Sequence, residues 1–223
     1  SGMSYGSLSA PAVAALNEGC KLAGCLHNTG EGGIADHHLH GGDLIWQIGT
    51  GYFGCRDDNG KFSLDKFKEC VAKHPVRAIE LKLSQGAKPG MGGLLPAAKI
   101  TREISRIRGI PMGEDCASPS SHSAFSCVDS MLDFVEMISD ASGGIPVGIK
   151  SAVGDQQFWS SLAKAMAKGD RGVDYLAIDG GEGGTGAAPL VFADHVALPF
   201  QLGFVRVYRE LFEKGIHNDV VFV

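Results

Sequence analysis

Three glycine-dense segments each follow a run of residues typical of a β-strand, and this arrangement limits the possible folds more than any other feature of the chain. The segments span residues 28–33, 85–90 and 179–186, and each carries a charged side chain among its glycines. Glycine lets the backbone approach a ligand closely and adopt positive φ. Three such loops, all placed after strands, predict one ligand site that is built from several loop ends.

The composition is that of an ordinary globular protein, apart from its glycine content. The 223 residues are 44% hydrophobic and 20% charged, and 32 of them are glycine. The net charge is -5 and no basic run occurs, so we expect neither a nucleic-acid partner nor binding to an anionic membrane. No apolar run approaches the roughly 20 residues that a membrane-spanning helix needs.

The cysteines and histidines do not have the spacing of a metal site. None of the six cysteines forms a C-x-x-C pair. His37, His38 and His40 include neighbours whose side chains diverge, and no i, i+4 pair is present. A chain of this length and apolar content needs no disulfides, so we expect free thiols, no metal and a reducing, cytoplasmic location.

Strand-like and helix-like segments alternate along the chain. The patterns predict helices over 11–23, 63–73, 96–107, 129–141, 158–168 and 199–214, and strands over 46–53, 76–83, 146–152, 175–179 and 220–223. Repeated βα units imply parallel strands with helices outside, which fits either a (β/α)₈ barrel or an open doubly wound sheet. Polar, glycine-rich loops after several different strands favour the barrel, because all its strands deliver their loops to one mouth.

The number of units indicates an incomplete barrel. Six to seven strands are recognisable, and an eighth strand with its helix would need roughly 50 more residues at the usual barrel length of about 250. We therefore predict an α/β fold, a single-domain (β/α)₈ TIM barrel over residues 1–223 that is incomplete at its C-terminus. The long segment 86–126 is expected to be a functional loop over the mouth. Its arginines, Arg102, Arg106 and Arg108, are interpreted as the solvated face of a short helix.

Several polar residues after strands are suited to particular chemistry. Lys88 with Gln85 can hold a carboxylate or keto oxygen. Lys150 ends a strand expected to be buried, where a charge needs a partner: either the edge of a reduced flavin, or an acid such as Asp179 or Glu31. Glu31, among glycines, can act as an acid or base or bind a cationic nitrogen. In the next long loop, His122 is a candidate for a flavin or substrate contact.

Taken together and in this order, the motifs resemble the FMN-binding synthase domain of glutamate synthase. The resemblance rests on residues 2–9, 28–33, 47–54, 85–93, Lys150 and 180–189, and it runs nearly from end to end. It is closer to the shorter stand-alone FMN-binding glutamate synthase proteins than to the large multidomain enzymes, because the regions of Cys55-Arg56 and 37–40 differ from the latter.

The resemblance implies a fold, a cofactor and a reaction. In this family FMN lies at the mouth of a (β/α)₈ barrel, and 2-iminoglutarate formed from 2-oxoglutarate and ammonia is reduced to L-glutamate. Glu31 and Lys88 would be catalytic, and Gln85, Lys88 and Glu31 would bind the substrate. The residues that would contact FMN are Met3, Ser4, Asn28, Gln47, Lys150, Gly181, Gly183 and Gly184.

The resemblance also implies partners and leaves alternatives open. The family's cysteine-rich segment for an iron–sulfur cluster has no counterpart here, so this chain does not support a cluster. An electron-donor or amidotransferase subunit and a homo-oligomer are possible partners, and we expect the chain alone to bind FMN poorly and to be inactive. Two alternatives stay open: an FMN enzyme for another amine or 2-oxo acid, of the N-methylglutamate synthase type, and a non-catalytic barrel fragment that a partner chain completes.

Overall fold

A parallel β-sheet forms the centre of the protein in a computed structural model that describes residues 2–183 and 188–223. The strands in these residues are β1 (His27–Asn28), β2 (Leu44–Ile48), β3 (Val76–Lys82), β4 (Leu94–Leu95), β5 (Cys116–Ala117), β6 (Val147–Ala152), β7 (Tyr175–Asp179) and β8 (Val221–Phe222). Six of them pair in the order β1-β2-β3-β6-β7-β8, and every pair is parallel. Strands β4 and β5 form a separate antiparallel pair inside the long insertion.

Helices precede or connect most of these strands. They are α1 (Ala10–Ala23), α2 (Leu64–Lys73), α3 (Arg102–Arg108), α4 (Val128–Ala141), α5 (Gln156–Met166), α6 (Leu190–His195) and α7 (Phe200–Glu213), with single 3-10 turns at Asp36–His38 and Ala97–Lys99. Side chains cap the first turns of two helices: the Ser9 hydroxyl accepts from the Ala12 N–H, and the Ser63 hydroxyl accepts from the Lys66 N–H. None of the helices in the described residues is long and apolar enough to cross a membrane.

The strand order distinguishes between the two architectures that the sequence allows. Each parallel strand pairs with the next parallel strand along the chain, and the described sheet has no point at which the order reverses. A doubly wound sheet needs such a reversal, whereas a barrel does not. The predicted α/β class is therefore confirmed, and the arrangement is consistent with an incomplete barrel whose described edges are β1 and β8.

The two faces of the sheet differ in polarity. Residues Trp46, Ile79, Ile149 and Leu176 point outward and pack with apolar residues of α2, α4, α5 and α7 in one continuous core. Alternate residues point to the inner face, because successive side chains of a strand lie on opposite sides. That inner face carries polar and charged groups, among them Glu80, Lys82 and Lys150. The neighbouring strands β3 and β6 therefore lack the uniformly apolar sequence of Leu176-Ala177-Ile178 in β7.

Two predicted elements differ from the structure. The strand predicted over 46–53 ends at Ile48, because the chain turns there: the Tyr52 N–H donates to the Gly49 carbonyl at 3.0 Å, and Tyr52 has a φ of 50°. The helix predicted over 96–107 is a 3-10 turn followed by α3, which begins after its cap residue Thr101. The antiparallel pair β4–β5 was not predicted, because each strand has only two residues.

The interpretation of the insertion arginines is wrong for one of the three. Arg102 and Arg106 are exposed as expected, but Arg108 is buried. Its guanidinium donates to the Ser4 hydroxyl and the Tyr5 carbonyl, both at 3.3 Å, and lies 5.0 Å from the centre of the Phe53 ring. Arg108 thus attaches the insertion to the N-terminal segment, a contact between residues more than a hundred positions apart that helical periodicity does not reveal.

His27 lies in a buried position that disfavours its charged form. The Asn17 amide donates to His27 Nδ1 at 3.1 Å, and His27 Nε2 has no hydrogen-bond partner within the described residues. Burial, reinforced by the nearby His38, lowers the pKa of His27 to about 4. A histidine in an unfolded chain has a pKa of about 6.5. Between that pH and about 4, the imidazole of His27 is therefore protonated in the unfolded chain and neutral in the folded chain.

We predict that the protein loses stability as the pH falls from about 6.5 towards about 4, and that His27 accounts for about 2 kcal/mol of this loss between pH 7 and pH 5. The matched variant is His27→Asn, which keeps an acceptor for Asn17 but does not titrate. Thermal unfolding of the whole protein at both pH values is the measurement. Equal losses in the wild type and the variant would contradict this assignment.

Candidate active site

The three glycine-dense loops meet at the carboxyl ends of the parallel strands, as the sequence predicts. The loops that follow β3 and β7 are in backbone contact: a Cβ at Gly86 would collide with the Gly180 carbonyl oxygen. The Gly86 N–H also donates to Asp179 Oδ2 at 2.9 Å. The loop after β1 reaches the loop after β3 through side chains, because Lys82 Nζ donates both to Glu31 Oε1 at 2.8 Å and to Gln85 Oε1 at 3.1 Å.

A charged group that we call the mouth cluster consists of Glu31, Lys82, Gln85 and Lys88. Lys88 is buried and donates to the Gly92 carbonyl at 3.2 Å. Burial lowers the pKa of Lys88, the Glu31 carboxylate opposes that shift and Lys82 adds to it. The sequence identified three members but missed Lys82, whose position at the last residue of β3 is the signal that could have found it.

The Glu31 carboxylate occupies a confined space that exists because two neighbouring residues are glycines. A Cβ at Gly49 would collide with Glu31 Oε2, and one at Gly93 would lie 3.3 Å from Glu31 Oε1. The backbone after β2 and the backbone of the insertion therefore enclose this carboxylate from two sides. The insertion covers part of the mouth, as its length predicts.

A polar layer lies on the inner face of the sheet, below the mouth cluster. Glu80 is buried in β3, and its Oε1 accepts from Asn28 Nδ2 at 2.8 Å and from Gln47 Nε2 at 2.6 Å. The parallel register places Gln47 directly beside Glu80. Sequence reasoning missed Glu80, although an acid in the middle of the otherwise apolar Ala78-Ile79-Glu80-Leu81 run is a recognisable signal.

The inner face also borders a partly open cavity of about 450 Å³. Its polar wall includes Asn28, Glu80, Lys150 and Asp179, and its apolar wall includes Met3, Leu16, Ile45 and Ala177. Lys150 Nζ lies 3.6 Å from Asp179 Oδ2. The sequence predicts that Lys150 pairs either with a flavin or with an acid such as Asp179 or Glu31. In the structure its partner is Asp179. At 3.6 Å this pair is longer than a direct charge-assisted hydrogen bond of about 2.8 Å.

Comparison with known proteins identifies the chain. A family model described as "Conserved region in glutamate synthase" matches residues 1–223. The chain belongs to the glutamate synthase family. It is 43% identical, over 99% of its length, to the glutamate synthase large subunit-like protein YerD of Bacillus subtilis, and 36% identical, over 97%, to the archaeal-type glutamate synthase [NADPH] of Thermotoga neapolitana.

The chain spans about two fifths of the length of these relatives, 42% of YerD and 40% of the Thermotoga protein. It also matches the glutamate synthase [NADPH] large chain of Bacillus subtilis at 31% identity, over 98% of this chain and 14% of that one. The resemblance inferred from the motifs is therefore confirmed at the level of the family, and the matched region is a part of larger proteins.

The structure brings together some, but not all, of the residues that the resemblance assigns to FMN. Met3, Asn28 and Lys150 line the cavity, and Gln47 joins them through Glu80. The Ser4 hydroxyl instead accepts from Arg108. The Gly181 N–H donates to the Leu198 carbonyl at 2.9 Å, Gly183 is exposed, and Gly184 lies outside the described residues. The assignment of these residues to FMN stays a prediction.

His122 is buried and both of its ring nitrogens have partners within the protein. The Lys82 carbonyl can only accept, so His122 Nε2 donates to it at 2.9 Å, and Nδ1 accepts from the Tyr52 hydroxyl at 3.0 Å. The Tyr52 oxygen in turn accepts from the Ala124 N–H at 3.1 Å. Burial lowers the pKa of His122. This arrangement makes His122 a positioning residue that attaches the insertion to the end of β3, rather than a group that offers a nitrogen to a ligand.

His38, from the histidine group that the sequence singled out, is likewise used inside the protein. Its Nε2 donates to the Met3 carbonyl at 2.9 Å, and its Nδ1 accepts from the Ala35 N–H at 3.0 Å. It therefore positions the N-terminal segment beside the cavity.

The contact between the two later loops yields a test. We predict that Gly86→Ala lowers the free energy of unfolding by about 2 kcal/mol or more, because the added methyl group must displace the Gly180 carbonyl. The thermal midpoint of the protein should then fall by several degrees. Gly90→Ala is the matched control: it lies in the same loop with no atom within 4 Å of a new Cβ, and it should cost only about 1 kcal/mol for its φ of 77°. Equal effects of the two variants would show that the close loop contact is not important.

Proposed function

We propose that the protein of which this chain is a part is an FMN-dependent oxidoreductase of the glutamate synthase type, which reduces 2-iminoglutarate, formed from 2-oxoglutarate and ammonia, to L-glutamate. The chain would supply the substrate pocket and one side of the flavin site. Membership of the glutamate synthase family supports the general activity, and the mouth cluster supports the substrate class.

The charge balance of the mouth cluster is the observation that carries this proposal. Two ammonium groups, Lys82 and Lys88, are combined with one carboxylate, Glu31, so one positive charge is in excess. Lys88 is buried, and a buried cation without a full counter-charge is costly unless a ligand provides one. The carboxylate of a 2-oxo acid has the charge and the acceptor geometry for this position.

Each member of the cluster has a distinct role in this proposal. Lys88 binds a substrate carboxylate or polarises the oxo oxygen, and Gln85 donates from its amide nitrogen while its Oε1 accepts from Lys82. Glu31 is held by its ion pair with Lys82, whose Nζ lies 2.8 Å from Glu31 Oε1. An ionised carboxylate beside the imine nitrogen stabilises the protonated imine, and protonation makes the imine carbon a better hydride acceptor. Lys82 holds Glu31 in place and does not itself contact the reacting atoms.

The cavity fits the ring of a flavin in size and in chemistry. Its volume of about 450 Å³ lies in the usual range for ligand pockets, and one wall is apolar while the other carries hydrogen-bonding groups. Met3, Asn28 and Lys150 are the residues that would hold the ring. When bound, FMN would supply the hydride for the reduction. Lys150 keeps its ammonium at the cavity wall, where the long 3.6 Å pair with Asp179 leaves it able to donate to a ligand.

Replacement of Lys150 tests the cofactor site. We predict that Lys150→Met in the whole protein weakens FMN binding about 10- to 100-fold, because a charge-assisted hydrogen bond contributes about 1.5–3 kcal/mol. Titration of the flavin-free protein with FMN, followed by flavin fluorescence, is the measurement. Lys164→Met, an exposed lysine of α5, is the control and should bind like the wild type. Unchanged binding in Lys150→Met would remove Lys150 from the site.

Replacement of Lys88 tests the substrate class. With FMN bound and chemically reduced, the whole protein should convert 2-oxoglutarate and ammonia to L-glutamate. We expect Lys88→Gln to raise the KM for 2-oxoglutarate about 10- to 100-fold, because a charged partner of the substrate anion is lost. Lys99→Gln, an exposed lysine of the same insertion, should leave KM unchanged.

The two measurements separate the parts of the proposal. FMN binding without glutamate formation would leave a flavoprotein with another amine or 2-oxo acid as its substrate. Absence of FMN binding by the whole protein would refute the enzyme proposal itself.

A further inference from the structure

The end of helix α1 places two cysteines next to each other. The helix ends at Gly24, whose φ is 66°. The Cys25 N–H donates to the Cys20 carbonyl at 3.0 Å, and the Gly24 N–H donates to the Lys21 carbonyl at 3.3 Å. These two bonds form a Schellman motif, in which the side chain that follows the glycine often packs against the side chain five positions before its own. Those two positions are occupied by Cys25 and Cys20.

The two thiols differ in their surroundings. Cys25 is exposed, whereas Cys20 is partly buried and forms part of the cavity wall together with Leu16 and Leu26. Burial raises the pKa of the Cys20 thiol, and the neighbouring Cys25 thiol raises it further. The Cys25 thiol is therefore the more accessible of the two to a reagent in solution, and the raised pKa of Cys20 favours its protonated thiol.

We propose that Cys20 and Cys25 form a redox-active dithiol that reacts with small-molecule disulfides, with Cys25 as the attacking thiol and Cys20 as the resolving thiol. In the first step Cys25 loses its proton to solvent and its sulfur attacks the disulfide RSSR. A Cys25–S–S–R bond forms, the bond between the two R sulfurs breaks, and RS⁻ leaves and takes up a proton.

The second step closes the ring. Cys20 gives its proton to solvent, and its sulfur attacks Cys25 Sγ, so that the Cys20–Cys25 disulfide forms and the second RS⁻ leaves. Overall, two protein thiols are oxidised to one disulfide and RSSR is reduced to two RSH. The helix end favours this step, because a thiol held beside the mixed disulfide acts at a high effective concentration. The product would lie in the wall of the cavity.

The other described cysteines provide controls within the same chain. Cys55 is fully buried. Cys127 is exposed, and its hydrogen bonds with Ser130 lower the pKa of the thiol. The group beside its sulfur is the Ser130 hydroxyl at 3.3 Å, not a second thiol. Cys127 should therefore accept a small thiol and keep it, whereas Cys25 should pass through that state and release the thiol.

The experiment uses the whole, reduced protein and oxidised glutathione as the probe. After incubation, free thiols are alkylated, the protein is digested with trypsin without reductant, and the peptides are identified by mass spectrometry. Trypsin cleaves after Lys21 and next after Arg56, so the Cys20 peptide stays joined to peptide 22–56 only through a disulfide. Because that peptide also contains Cys55, fragmentation of the joined peptides assigns the bond to Cys25 or to Cys55. We expect the joined peptides, with glutathione about tenfold or more scarcer on Cys25 than on Cys127.

Serine variants make the outcome decisive. In Cys20→Ser, Cys25 should retain glutathione as Cys127 does, and in Cys25→Ser, Cys20 should react much more slowly than Cys25 does in the wild type. Glutathione retained on wild-type Cys25 to the same extent as on Cys127 would overturn the proposal. So would an unreactive Cys25, or a disulfide between Cys20 and any other cysteine.

Discussion

A buried carboxylate fixes the arrangement of the sheet on which the candidate site is built. Glu80 lies in the middle of β3, and its charge is supported by amide groups of Asn28 on β1 and Gln47 on β2. A buried charge without partners costs several kcal/mol, so the three strands must keep the register that supplies those partners. The same register sets the next inward positions: Lys82 lies beside Lys150 on the neighbouring strand, at the level where the loops begin. The positions of both the mouth cluster and the cavity wall follow from this pairing.

The charges above that layer are distributed in two separate pairs. Lys82 is bonded to Glu31 and Gln85, while Lys150 is paired at a longer distance with Asp179. Among the described ion pairs, Lys82 and Lys150 therefore each have an acid of their own. Asp179 also accepts from the Gly86 N–H, so the second pair contributes to the contact between the loops after β3 and β7. Lys88, which donates to a backbone carbonyl, is the cation of the mouth cluster with no acid of its own among its described hydrogen bonds and ion pairs.

The insertion between β3 and α4 is attached to the rest of the structure by buried polar contacts. His122 and Tyr52 join it to the end of β3, Arg108 joins it to the N-terminal segment, and the Thr50 hydroxyl donates to the Pro119 carbonyl at 2.7 Å. Tyr52 has a positive φ, which is uncommon for a bulky residue and persists only where the surroundings enforce it. These contacts make the insertion a wall of the site instead of a solvated loop, and a segment of weak periodicity gives no sign of them.

The sequence by itself determined the class of fold, the positions of the glycine-dense loops at strand ends, most helices to within about two residues and the family, because periodicity, capping residues and motif order are local properties of the chain. Only the tertiary structure decided which charges meet. Glu31 is paired with Lys82, not Lys88, Glu80 receives the Gln47 amide, and Ser4 and His122 are occupied by internal partners. These contacts join residues that are tens of positions apart, and they depend on strand register and loop packing, which no local pattern specifies.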